Sequence, residues 1–215
     1  MFCISKEDLM SGDQYFRRNL VNSLVGFKSA NLIGTCSSAG RSNLSLISSV
    51  VHVGASPPIQ GFIMRPLTVE RQTYQFIRRT GQYTINHVHS SFIDKAHYAS
   101  AKFDAHTSEF TECQLTEEYL GKWKAPFVRE AHLKLAMSYL SEYEIKENGT
   151  ILILGTVERI FIDHDCLLPD GNIDLGIAQS VAVSGLECYY TSKKEAQFSY
   201  AREGQWPQNH LEKKN

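Results

Sequence analysis

The segment "HLKLAMSYLSEYEI", followed by Asn148-Gly149 and then "TILILGTVERIFIDH", restricts the fold more than any other part of the chain. Leu133, Leu135, Met137, Tyr139, Tyr143 and Ile145 share one parity, whereas His132, Lys134, Ser138, Glu142 and Glu144 share the other. Side chains alternate between faces along a strand, so this pattern predicts a half-buried strand with one wet face. Asn-Gly is a strong hairpin signal because both positions tolerate positive φ. The second segment is then the return strand.

Further strands precede this hairpin. "NLIGTCSS" reads as a strand, Ser38 to Arg41 as a hairpin turn, and "SNLSLISSVVHVG" as a second strand. "SPP" at Ser56 to Pro58 breaks it, and "IQGFIMR" is a third. "QYTINHV" is a short strand, and "IAQSVAVSGLECYY" is the last apolar stretch. Helical spacing of Tyr15, Leu20, Leu24 and Phe27 predicts a helix over about residues 11–26, stopped near Gly26. A second helix has Thr68 as its N-cap, Gly81 as its stop, and a buried stripe of Tyr74, Phe76 and Ile77. Helix is also expected over "SSFIDKAHYASAKF" and, briefly, over "TEEYLGKW". The result is a mainly β chain of six or more strands, and hairpin-joined strands that bury one face commonly curl into a barrel. With 215 residues, 42% of them hydrophobic, one domain over 1–215 is expected. It comprises the N-terminal helix, a barrel core over about 28–190 and a polar tail over about 203–215.

Several function classes lose support. A net charge of −1 gives no basic nucleic-acid surface. No apolar run approaches the ~20 residues that span a membrane. "MFCISKEDLM" lacks a signal-peptide core, which points to the cytoplasm. The 5 cysteines are odd in number and scattered, suggesting free thiols rather than disulfides or zinc. Neither GxGxxG after a strand nor a P-loop is present, and no G-x-S-x-G elbow supports Ser-His-Asp catalysis.

Three constellations remain. In "GFIMRPLTVERQTYQFI" a strand ends at Arg65-Pro66 and a helix starts, with Thr68, Arg71 and Thr73 around the junction. A helix N-terminus attracts anions and disfavours cations, so Arg71 there suits a phosphate. The alternative is surface pairing with carboxylates such as Glu70. Ser48 and Ser49 interrupt an apolar strand. One of them faces the core side and needs a partner, either a ligand or a backbone carbonyl. His87, His89 and His97 lie close in sequence, but no carboxylate or cysteine stands at a supporting metal-ligand spacing.

The ordered series carries a resemblance. It runs from the serine pair through Pro57-Pro58, "GFIMRP", the Arg71-x-Thr73 helix start and "YTIN", ending at Asn86, to "HYASAKFD". Together with "SGLECYY", and over about Arg17 to Arg202, it resembles the flavin reductase-like family of FMN-binding split β-barrels. That group includes flavoredoxins and the reductase components of two-component monooxygenases. The resemblance implies an antiparallel split β-barrel of Greek-key type, usually a homodimer, with FMN near the subunit interface. By position, Arg71 and Thr73 match the segment that holds the FMN phosphate, and Thr68 stands in the same segment. Ser48 and Ser49 match polar positions near the phosphate and ribityl chain, with Arg65 beside them. Asn86 matches an asparagine that approaches the cofactor, and Ser100 and Ala101 a loop near the flavin ring. Ser184 and Gly185 match a contribution from the second subunit.

The sequence departs from the commoner pattern at "SVVH", where many members carry an aromatic-aromatic-Asn run, and at His87, often apolar elsewhere. The implied activity is an FMN-dependent oxidoreductase that reduces flavin with NADH or NADPH by hydride transfer to flavin N5, with no protein nucleophile. A partner oxygenase or other electron acceptor is implied with it. A flavoredoxin-like electron-transfer protein is the alternative. A haem protein using His52, His87 or His97 is a third reading.

Overall fold

The computed structural model describes residues 1–104 and 106–211; positions 105 and 212–215, the last being the end of the expected tail, lie outside the described residues. Two helices open the chain, α1 (Lys6–Ser11) and α2 (Gln14–Ser23). The first is started by a reciprocal capping box between Ser5 and Asp8, and the second by Asp13. Next come β1 (Lys28–Ser29), β2 (Asn31–Cys36), β3 (Ser42–Ile47), β4 (Val51–Ala55), β5 (Pro58–Met64), α3 (Gln72–Thr80) and β6 (Gln82–His87). They are followed by α4 (Ile93–Tyr98), α5 (Glu109–Glu112), β7 (Glu117–Glu118), β8 (Phe127–Val128), β9 (Leu133–Ile145), β10 (Thr150–Ile162), β11 (Val181–Ser184) and β12 (Cys188–Thr191).

Seven strands form one antiparallel sheet in the order β3-β2-β6-β9-β10-β5-β4. A smaller sheet, β1-β11-β12, sits beside it. Successive residues of each strand feed opposite faces, so the large sheet supplies two apolar clusters. Leu32 and Leu44 join Phe92, Ala96 and Phe110 from the turn before α4, α4 and α5. Ile33, Phe62, Tyr83, Ile85, Met137 and Ile153 join Ile77 of α3. Helix α3 therefore belongs to one cluster and α4 to the other.

The β9–β10 hairpin is as long as its sequence pattern suggests, with 13 residues in each strand. Its alternation is not continuous. Tyr139 pairs with Gly155 and Ser141 with Leu154, leaving Leu140 without a rung. An extra residue on one strand inverts the facing of everything beyond it. Glu142 thus turns toward α3 and accepts a hydrogen bond from Tyr74, whereas Tyr143 is 60% exposed. At the other end Lys134 is only 9% exposed, because β9 lies between β6 and β10 with both faces covered. It is matched by Glu118 and donates to the Arg129 carbonyl. The expected single wet face is corrected at both ends.

Other expectations change as well. The stretch read as one second strand is two, β3 and β4, because the Ser49 hydroxyl takes over the rung with Ile63 that the backbone would have made: it accepts from the Ile63 N–H and donates to the Ile63 carbonyl, both at 3.1 Å. "TEEYLGKW" contains a short strand, β7, rather than a helix, and α5 precedes it. The N-terminal helix expected over 11–26 is α2, with α1 in addition. In α3 the buried residues are Thr73, Phe76 and Ile77, with Tyr74 at the margin.

Gly155 permits the close approach on which the sheet's centre depends. A Cβ there would lie 2.1 Å from the Tyr83 hydroxyl and 2.9 Å from the Ser138 carbonyl. Tyr83 is fully buried and its hydroxyl has no hydrogen-bond partner among the described residues. An unpaired buried hydroxyl costs about 1–3 kcal/mol. Tyr83→Phe is therefore expected to leave stability unchanged or raise it by about 1 kcal/mol in urea unfolding; a loss of stability contradicts this placement.

At the end of β6, His87 Nδ1 lies 3.3 Å from Ser180 Oγ, and burial pushes the imidazole down to about 4. A free histidine titrates near 6.5. Between these values the unfolded chain binds more protons, so His87's contribution is full above about pH 6.5 and is lost as pH falls toward 4. Because the residue keeps some exposed surface, the expected size is about 2 kcal/mol rather than the full linkage value. Unfolding curves between pH 7 and 4.5 should be flatter for His87→Gln than for the parent protein. Equal slopes count against His87 as the titrating group.

Candidate functional site

Strand β5 ends at Met64, and Pro66 then forces an extended backbone on the residue before it. The chain turns through Leu67 to Val69, and α3 begins only at Gln72. Thr68 is exposed within that turn and does not cap the helix, which corrects the expectation for it. The N-cap position of this nine-residue helix is Arg71, in extended backbone, and among the described residues its side chain makes no capping hydrogen bond. A helix start presents amide donors and a partial positive charge.

Two cations stand at the same place. Arg65 is exposed and Arg71 half-buried. Arg71 donates through Nε to the Pro66 carbonyl at 3.1 Å. Its guanidinium is held below its ordinary range, first by burial and then by repulsion from Arg65. Among the described residues neither arginine is in an ion pair, so the alternative of pairing with Glu70 is not what the structure shows. Both conditions make the site costly without an anion and favourable with one. Leu67 to Arg71, Tyr74 and Gln75 line a cleft of about 270 Å³ here.

The remaining expected residues fall into three groups. Ser49 lies against Ile63, two residues before Arg65, with its hydroxyl used in the sheet, and Ser48 is half-buried next to it. Thr73 is 4% exposed and accepts from Asn43 Nδ2 at 3.0 Å, tying α3 to the sheet while keeping its own O–H to donate. Asn86 is fully buried. Its amide donates to the Leu32 carbonyl and Thr84 Oγ1, and its oxygen accepts from Val128 N–H, so both of its donors are used within the chain. Ser100 and Ala101 are exposed just after α4, which packs into the other cluster, and the Ser100 hydroxyl donates to the His97 carbonyl. Ser184 and Gly185 belong to the β11–β12 turn, where Lys28 donates to the Gly185 carbonyl at 2.8 Å. One chain thus gathers Ser48, Ser49, Arg65, Thr68, Arg71 and Thr73 around the end of β5 and the start of α3, but not Ser100, Ala101, Ser184 or Gly185.

The histidines occupy separate contacts. His52 is exposed on β4, His89 lies against His132 with tilted rings whose centroids are 4.2 Å apart, and His97 Nδ1 meets the Tyr189 hydroxyl at 3.0 Å. Among the described residues no group of His, Cys, Asp and Glu side chains comes together as a metal site. A second cleft, of about 400 Å³, lies near the start of β9. There Lys134 is matched by Glu118, and His132 by Asp163 at 3.2 Å. The first cleft differs in standing at a helix start, where burial and then repulsion from Arg65 lower the guanidinium of Arg71.

Sequence reasoning missed Tyr74 and Gln75 as lining residues. The signal was present: Tyr74 follows Arg71 by three positions and shares its side of the helix.

Comparison with known proteins agrees with this architecture. No curated protein matches the chain. A crystal structure of a provisionally named flavin reductase with split barrel domain from Shewanella frigidimarina is 44% identical, with a TM-score of 0.90, covering 94% of this chain and all of that one. Nitrilotriacetate monooxygenase component B from Bacillus cereus is 15% identical, with a TM-score of 0.78 and coverage of 92% and 98%. Flavoredoxin of Desulfovibrio vulgaris is 20% identical, with a TM-score of 0.69 and coverage of 83% and 92%. The latter two likenesses are of fold. Residues 24–172, which hold the sheet and the cleft at the start of α3, match the flavin reductase like domain, and the chain belongs to that family of split-barrel flavin proteins.

Proposed function

We propose that the chain is an FMN-binding oxidoreductase that reduces flavin with NADH or NADPH. The observation that carries this reading is the closeness of Arg65 and Arg71 at the start of α3, beside a cleft and, among the described residues, without carboxylate partners. A terminal phosphate supplies the missing charge and accepts the forked donors of a guanidinium. Arg71 and Arg65 hold it, the positive end of the α3 dipole favours it, and Thr68, Thr73 and Ser48 stand around it as hydroxyl donors. Ser49 and Asn86 serve by fixing the strands on which the site is built.

Bound FMN supplies the redox chemistry, since its own ring accepts the hydride. The protein's part is to anchor the cofactor by its phosphate and orient it. A second copy of the chain completes the site in this reading. The apolar surface formed by Leu24, Val25, Phe27 and Tyr190, each between 44% and 74% exposed, is where that copy docks. Ser184 and Gly185 lie on the same small sheet as Tyr190. Ser100 and Ala101 then face the flavin ring. The monooxygenase component among the structural relatives is the reason to test an oxygenase as the acceptor of reduced flavin.

Addition of NADH or NADPH without oxygen should bleach the flavin absorbance of FMN-loaded protein. FMN that is retained but not bleached favours the electron-transfer reading, which the flavoredoxin likeness motivates. A colourless protein that takes up no added FMN overturns both. Arg71→Ala should weaken FMN binding by about 1.5–3 kcal/mol, roughly 10- to 150-fold, in a fluorescence titration. Unchanged affinity means that the phosphate sits elsewhere.

A further inference from the structure

Helix α3 carries the cleft, and its seat on the sheet depends on a carboxylate far away in sequence. Tyr74, three residues after Arg71, lines the cleft and donates its phenol proton to Glu142 Oε1 at 2.9 Å. Arg78, one helical turn later, places Nη1 3.8 Å from Glu142 Oε2. The Arg78 guanidinium also lies 4.9 Å from the Tyr139 ring centroid and hydrogen-bonds its hydroxyl. One carboxylate on β9 therefore holds two successive turns of α3.

Three features set Glu142 apart from an ordinary surface acid. It reaches α3 only because the sheet register shifts at Leu140; in unbroken alternation it would face the other way. Its Oε2 is buried and, among the described residues, has the Arg78 ion pair but no hydrogen bond, so the carboxylate is seated at a cost to its own solvation. Burial, and then the hydrogen bond to Glu142, raise the Tyr74 phenol, which keeps it a donor. On its inner side α3 is fixed by the bond from Asn43 to Thr73. Glu142 supplies the second fixed point, at the flank nearest the cleft wall.

We infer that Glu142 is a positioning residue for the flavin-phosphate cleft, acting through Tyr74 and Arg78 to set α3, and with it Arg71 and the helix start. The inference rests on the phosphate reading of that cleft. Because the effect is on the phosphate end of the cofactor, it separates FMN from riboflavin, which has the same ring and ribityl chain without the phosphate.

The test is a pair of fluorescence titrations, FMN and riboflavin, on full-length Glu142→Ala, Glu142→Gln, Tyr74→Phe and Arg71→Ala. Glu142→Ala and Tyr74→Phe should weaken FMN by about tenfold, the scale of one lost charge-assisted bond, and leave riboflavin affinity unchanged. Glu142→Gln should recover part of the loss seen in Glu142→Ala, since its amide oxygen still accepts from Tyr74 while the charge facing Arg78 is gone. General loosening of the fold would lower both affinities together, and that outcome overturns the inference. So does unchanged FMN affinity in Glu142→Ala, or failure of Glu142→Gln to recover any of the loss seen there. If Glu142→Ala does not fold, Tyr74→Phe reads the same bond with the ring kept in place. An Arg71→Ala effect without a Glu142→Ala effect overturns the positioning role alone, and no effect from either overturns the phosphate reading as well.

Discussion

The antiparallel pairing of β9 with β10 is the constraint from which the rest of the structure follows. It places β6 on one side and β5 on the other, and so fixes both the centre of the sheet and the strand that ends at the candidate site. Its register shift has two consequences. At Gly155 the absence of a side chain admits the Tyr83 hydroxyl into the sheet's centre. At Leu140 the extra residue rotates the outer half of β9 and delivers Glu142 to α3. A uniformly paired hairpin would bury the same apolar residues near its base but leave α3 without its flank contact.

The site itself is a problem in unmatched charge. Some charged groups are paired among the described residues: Lys134 with Glu118, His132 with Asp163, Lys194 with Asp174. At the start of α3 the pattern reverses. Two arginines repel each other beside a helix start whose N-cap residue, Arg71, makes no capping bond of its own. Such an arrangement is unfavourable in isolation and becomes favourable when an anion binds. In a family of flavin proteins, a flavin phosphate has the required charge and geometry. Catalytic power in this reading comes from the cofactor, which is consistent with a cleft lined by binding groups.

Much of this was legible in the sequence, and the failures share a cause. The Asn148-Gly149 hairpin, the Gly81 helix stop and the break at Ser56 to Pro58 are local signals, and each falls where the chain turns. Arg65 and Arg71 were identifiable because a strand end and a helix start are also local. What escaped were effects decided by distant contacts. Nothing near Leu140 announces that its partner strand lacks a matching residue, so Glu142 and Tyr143 were given the wrong faces. Lys134 looked like a wet residue because its partner, Glu118, comes from a segment read as helix. The bonds by which Asn86 and Ser49 join strands brought alongside by the fold have no local signal either.

The most direct measurement of the central claim is the affinity of the parent protein for FMN compared with riboflavin, repeated in Arg71→Ala. If the cleft at the start of α3 holds the phosphate, the parent prefers FMN by at least about tenfold, and the preference shrinks sharply in the variant. Equal affinity for the two flavins in the parent, or an FMN preference untouched by Arg71→Ala, contradicts the account.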